Sequence, residues 1–240
     1  MGVRGLSGWG GGAVERVWYV SYGSNMCAER FGVYLRGGRA PGGRLVHPGC
    51  RDRSAPAGDV ALELPGRLYF ATESAVWGGG RGFYDPAAAG RVLARGYDIT
   101  REQFRDVAAQ EMYREPGDGP SLDEVLAVLP GTGPDGEAAP EAPSVRRVVC
   151  GDGRYETLLC LGALDGRPAL TFTAPWSVRD VVPLAPSPVY LRQFVTGLTE
   201  TGAWSGAEVE RYLEESVRGG RGGRGGTGPS PVGRDVFRAP

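Results

Sequence analysis

Lysine is missing altogether: all 27 basic residues of the 240 are arginine. A standard P-loop needs a lysine, and so does a Schiff-base enzyme, so both classes are excluded. Together with abundant glycine, alanine and proline, the arginine-only pattern reads as a GC-rich coding bias rather than as function. Histidine is nearly absent as well, with His47 alone. No HExxH zinc site can be written, and a Ser-His triad would have to use that one residue. His47 lies in "RLVHPGC", a turn-like stretch, and is expected at the surface or in a loop. The four cysteines, Cys27, Cys50, Cys150 and Cys160, form no CxxC pair; they are expected as small core residues in a reducing cytosol, with no metal. No apolar run reaches the length of a membrane span or a secretory h-region, and Leu6 stands where a myristoylation signal needs Ser or Thr. A soluble cytoplasmic protein with no membrane partner is expected. The net charge of -1 points to no polyanion.

Glycine and proline mark the boundaries. Residues 1–15 are expected to form a flexible N-terminal segment, and residues 16–218 the folded domain. An insertion, 114–146, interrupts it. Within that insertion "SLDEVLAVL" carries a short amphipathic helix, Leu122 to Leu129, between Gly-Pro runs. It reads as a lid over a cavity, as a partner contact, or as an exposed spacer. Residues 219–240 are too poor in apolar side chains to fold and are expected to be disordered. Their RGG repeats leave RNA binding as a weak rival function, and nucleic acid is disfavoured as a partner. Their GxGxxG match (Gly220, Gly222, Gly225) has no strand before it and no helix after it, so it is not a dinucleotide signal.

Strands dominate the folded part. "VWYVSY", "GRLYFATES", "RVLARGYDI" and "PALTFTA" read as strands, and "SVRRVVC-GDG-RYETLLCLGAL" as a hairpin. Three helices carry start signals. Thr100 with Gln103 and Ser205 with Glu208 form capping boxes, and Ser187 is followed by Pro188 at the first helical position. Strands without regular β-α alternation predict an α+β fold: a small mixed sheet, barrel-like, with peripheral helices.

Two places carry chemistry. On the helix after Thr100, the spacing Phe104, Val107, Ala108 puts Glu111 on the apolar stripe. Either this carboxylate faces the core, where burial raises its pKa toward the proton-transfer range, or the helix ends there and the side chain escapes to solvent. Earlier, "VSYGSNM" ends a strand in Tyr22-Gly23-Ser24-Asn25. Gly23 lets a ligand approach the backbone, and the free N–H groups of the following helical start could hold a carboxylate or an oxyanion. The alternative is an ordinary turn with Asn25 as N-cap.

These stretches resemble the γ-glutamylcyclotransferase family. "WYVSYGSNM" is similar to its Tyr-Gly-Ser-Asn signature, and "GYDITREQFRDVAAQEM" to the segment ending in its catalytic glutamate, which falls on Glu111. "APSPVYLRQFVTGLTETGAW" resembles its Pro-Ser-x-x-Tyr helix, with Tyr190 at the substrate-contacting tyrosine. The likeness covers roughly residues 17–215. Met112 departs from it, since the family often has glycine directly after the glutamate. The resemblance implies a γ-glutamylcyclotransferase-like barrel and a cofactor-free enzyme that closes a γ-glutamyl group to 5-oxoproline and releases an amine or amino acid. Glu111 would be catalytic, and Tyr19, Ser21, Tyr22, Gly23, Ser24, Asn25 and Tyr190 would bind the small-molecule γ-glutamyl substrate in a monomer or homodimer. The rival on the same fold is a module that binds such a ligand without turning it over.

Overall fold

The computed structural model describes residues 2–8, 15–40, 43, 45–127 and 145–219. The first strand, β1 (Arg16–Ser21), has no polar face: Val17 and Tyr19 point into one apolar cluster, Trp18 and Val20 into another. A strand covered on both sides reads as a continuous apolar run, as this one does. After it come a 3₁₀ turn (Ser24–Met26), α1 (Ala28–Arg36) and the two-residue strands β2 (Gly38–Arg39) and β3 (Val46–His47). Then follow β4 (Gly58–Pro65), β5 (Arg67–Glu73), β6 (Gly80–Asp85), β7 (Arg91–Thr100), α2 (Arg101–Glu111) and α3 (Asp123–Leu126). The chain continues through β8 (Arg146–Val149), β9 (Thr157–Leu164), β10 (Arg167–Thr173), α4 (Pro188–Glu200) and α5 (Gly206–Gly219).

Six strands form one sheet in the order β4-β7-β1-β10-β9-β8, antiparallel except for the parallel pair β1/β10. One face carries Phe31 of α1, Phe104 and Val107 of α2, and Val125 and Leu126 of α3. The other carries Leu191, Phe194 and Leu198 of α4 with Val209, Tyr212 and Leu213 of α5. The α+β class therefore holds. The expected barrel takes an open form: β5 and β6 make a separate hairpin, and among the described residues no ladder joins it to the main sheet. Thr173 spans the gap, its hydroxyl donating to Tyr84 O at 2.7 Å and accepting from Tyr84 N at 3.2 Å. Gly66 (φ +118°) makes the bend between β4 and β5, where a Cβ would lie 2.6 Å from the carbonyl oxygen of Asp85.

All three helix starts form as their sequences specify. Thr100 and Gln103 make a reciprocal capping box, Ser187 caps α4 over Pro188, and Ser205 exchanges hydrogen bonds with Glu208. The β8–β9 hairpin forms, with its connection running from Cys150 to Glu156, wider than Gly151–Gly153.

Two expectations change. Part of the N-terminal segment is held rather than free. Arg4 N–H donates to Ala61 O, Ser7 exchanges backbone hydrogen bonds with Ala163, and the Arg4 guanidinium pairs with Asp165. The amphipathic stretch of the insertion is neither lid, partner contact nor exposed spacer where it is described. Leu122, Val125 and Leu126 are buried in the core against β8 and β9, since an i, i+3, i+4 apolar stripe covers whatever apolar surface lies nearest. Leu129, the rest of the insertion to residue 144, and the tail beyond Gly219 lie outside the described residues.

Leu122→Ala should cost about 2–5 kcal/mol of stability, the range for emptying a buried leucine site. Urea denaturation of the full chain reads this. A loss under about 0.5 kcal/mol would show that α3 is no part of the core.

Candidate active site

The eight residues that the sequence analysis singles out line one cleft at the end of β1. It encloses about 630 Å³ of space, solvent at its mouth included. β1 delivers its floor. Tyr19 and Ser21 are buried near the strand's end, and Tyr22 anchors the turn by donating from its hydroxyl to Phe172 O at 2.8 Å. In the 3₁₀ turn, Met26 N–H closes on Gly23 O and Cys27 N–H on Ser24 O. The amides of Gly23, Ser24 and Asn25 have no protein acceptor among the described residues, as the first amides of a helical turn do not. The start of α1 is capped from elsewhere, Ala28 N–H donating to Glu200. Asn25 is thus no N-cap. It lies inside the turn with its amide aimed across the cleft.

That amide ties the site together. Asn25 Nδ2 donates to Tyr19 OH at 3.1 Å and to Glu111 Oε1 at 3.0 Å. Glu111 is the last residue of α2 and half-buried, so each alternative from periodicity describes one part of it: the stripe carries it inward, and the helix end leaves one side open. Among the described residues it is the only carboxylate in the lining, and none of the described arginines forms an ion pair with it. Burial, then the Glu111 charge, pushes the Tyr19 and Tyr34 hydroxyls well above the usual tyrosine range. Both stay protonated beside the carboxylate.

Tyr190 enters from the opposite wall. The Ser187 hydroxyl accepts from Tyr190 N, fixing the first turn of α4, and the Trp77 ring stacks on Tyr190 at 5.9 Å. Gly197 lets α4 approach the loop, since a Cβ there would lie 2.3 Å from Cys27 N. The Tyr190 hydroxyl accepts from Gly82 N at 3.2 Å, which leaves its own proton to give, and burial raises its pKa to about 12. Tyr155 donates to the Gly82 carbonyl at 3.0 Å.

Several lining residues escaped the sequence reading: Arg30, Tyr34, Trp77, Arg81, Arg154 and Tyr155. For Arg30 a signal existed, because it lies four residues before Tyr34 at the edge of the α1 apolar stripe. His47 is a correction. It is 6% exposed rather than at the surface, because the β2/β3 pairing turns it inward against the Tyr34 ring. Its Nε2 lies 3.0 Å from Arg30 Nη1, so the neutral ring accepts there. Burial, then the Arg30 charge, lowers its pKa from 6.5 to about 4. Among the described residues no group of three His, Cys, Asp or Glu side chains could hold a metal, and no helix is long and apolar enough to cross a membrane.

The elements therefore define an α+β protein with a tyrosine-walled cleft around one carboxylate and a row of open amides. No family model matches the chain. It is 35% identical over 212 residues to histone deacetylase 5 of Arabidopsis thaliana, a match taking in 84% of this chain and 31% of that protein. The chain thus spans about a third of the length of the curated relative it matches. Among solved structures it is similar to a gamma-glutamyl cyclotransferase, with a TM-score of 0.43 and 15% identity over 92% of this chain and 96% of that one. An uncharacterised Homo sapiens protein gives the same figures. YkqA of Bacillus subtilis gives 0.41 at 16% identity, over 84% of this chain and 54% of that one.

The lowered pKa of His47 has a consequence for stability. The unfolded chain takes up a proton as pH falls from 6.5 toward 4, and the native state does not. Stability should therefore be lost across that window. His47→Gln should lose less than the native chain when urea midpoints are compared at pH 7 and 4.5; equal losses would place the ring in solvent.

Proposed function

We propose that the cleft closes γ-glutamyl groups to 5-oxoproline and releases an amine or amino acid. The observation that carries this reading is the hydrogen bond from Asn25 of the Tyr-Gly-Ser-Asn turn to Glu111, which sets one carboxylate against a row of open amides. The motif resemblance of those same two segments supports it.

In the reaction the α-amine of the glutamyl group attacks its own side-chain carbonyl. The new C–N bond closes a five-membered lactam, and the original amide C–N bond breaks. The nucleophile is tethered, so orientation supplies much of the rate. Glu111 takes a proton from the attacking ammonium and delivers it to the leaving nitrogen. The amides of Gly23, Ser24 and Asn25 receive negative oxygen, either the glutamyl carboxylate or the oxyanion that forms on the carbonyl. Asn25 fixes the Glu111 oxygen, and Tyr190 donates from the facing wall.

The activity in the name of the Arabidopsis relative belongs to a protein about two-thirds of which lies outside the match, and no feature of the cleft calls for it. A module that binds without turnover differs from the proposal at Glu111 alone.

Incubation with a panel of γ-glutamyl compounds should release 5-oxoproline. Glu111→Gln should keep the fold and lower turnover by about two to four orders of magnitude. Near-normal 5-oxoproline release by the folded variant would remove Glu111 from the reaction; binding without release by the native chain would favour the non-catalytic module.

A further inference from the structure

Arg30 is the most deeply buried cation of the cleft, 2% exposed, and the proton chemistry above gives it no work. A guanidinium carries five N–H donors. One Nη1 proton goes to His47 Nε2 at 3.0 Å, and one Nη2 proton to Tyr34 OH at 3.2 Å. The group lies over the rings of Tyr34 (4.7 Å) and Trp77 (5.3 Å). Its Nε is buried with no hydrogen-bond partner, and among the described residues no carboxylate forms an ion pair with it. A buried cation with no carboxylate in direct contact is costly, and such a group calls for an explanation. Its neighbours point to one. Neutral His47 and protonated Tyr34 accept from the guanidinium without cancelling its charge.

The rest of the lining points the same way. Arg81 and Arg154 also face the cleft without an ion-pair partner among the described residues, against the one carboxylate of Glu111. Three cations and one anion leave an excess of two positive charges. One glutamyl carboxylate, offset by its own ammonium, does not match that excess.

We infer that Arg30 is a second anion-binding position of the cleft, which receives a carboxylate carried by the leaving group. The amide row of Gly23 to Asn25 serves the glutamyl half, and the planar fork of Arg30 takes the other carboxylate by paired N–H donation. This inference rests on the proposed cyclisation and narrows its substrates to γ-glutamyl amino acids or peptides, in preference to γ-glutamyl amines. Tyr34 and His47 are positioning residues that orient the guanidinium.

The test uses two compounds that differ by one carboxylate, γ-glutamyl-alanine and γ-glutamyl-ethylamine. Calorimetry measures their binding to the Glu111→Gln protein, which holds them without rapid turnover. The alanine compound should bind about 10- to 100-fold more tightly, the range for a hydrogen bond to a charged group. Adding Arg30→Met should erase that preference and leave the ethylamine compound within about threefold. Arg30→Lys, which keeps the charge and the volume, should retain part of the preference and serves if the methionine variant does not fold. Any preference that survives in folded Arg30→Met, or an undiminished one in folded Arg30→Lys, overturns the inference, and so does equal weakening of both ligands, the mark of a purely structural arginine. If neither compound binds, the inference falls together with the proposed reaction. If the preference exists and disappears with Arg30 while the native chain releases no 5-oxoproline, the anion position stands and the reaction alone falls.

Discussion

The double burial of β1 is the constraint on which the cleft depends. A strand packed on both faces has no freedom to slide, because a one-residue slip would exchange Val17 and Tyr19 with Trp18 and Val20 between two different cores. The strand's end is therefore fixed, and with it the turn at Tyr22–Asn25. Two neighbours reinforce the position: β7 pairs along the whole of β1, and Arg95 and Tyr97 of β7 both donate to the Met26 carbonyl just past the turn. A row of open amides is useful only if it stays where it is when a ligand arrives. This core supplies that stiffness.

Much of this was legible in the chain, for reasons that differ by residue. Alternation gave the long strands, and capping residues gave the helix starts, because both are local signals. Glu111 was visible because a carboxylate interrupts an apolar stripe, and Asn25 and Tyr190 through motifs. The lining residues outside the motifs were harder to see, for two reasons. His47 turns inward through a two-residue strand, too short for any periodicity to register, and Arg30, Arg81 and Arg154 reach the cleft from α1, β6 and the β8–β9 connection. Only tertiary packing brings those three together. The insertion is a different case: the apolar stripe of Leu122, Val125 and Leu126 is legible, but a stripe does not say which surface it covers.

The cleft's chemistry is built largely from groups that do not ionise near neutrality. Tyr19, Tyr22, Tyr34 and Tyr190 are buried and Tyr155 is partly buried, and desolvation raises each hydroxyl. They act as fixed dipoles around a single carboxylate and three guanidinium groups that never lose their charge. Such a lining holds its charge state across the neutral pH range.

The burial of α3 also decides where this chain can vary. Residue 127 leaves from an element packed on β8, and residue 145 returns directly into β8. Residues 127 and 145 are therefore neighbours, fixed by the packing of α3 on β8. These anchor points belong to the α3–β8 edge of the fold, away from the Tyr22–Asn25 turn. Asn25 and Glu111 are held by β1, β7 and α2, so the geometry between them does not depend on what joins residue 127 to residue 145.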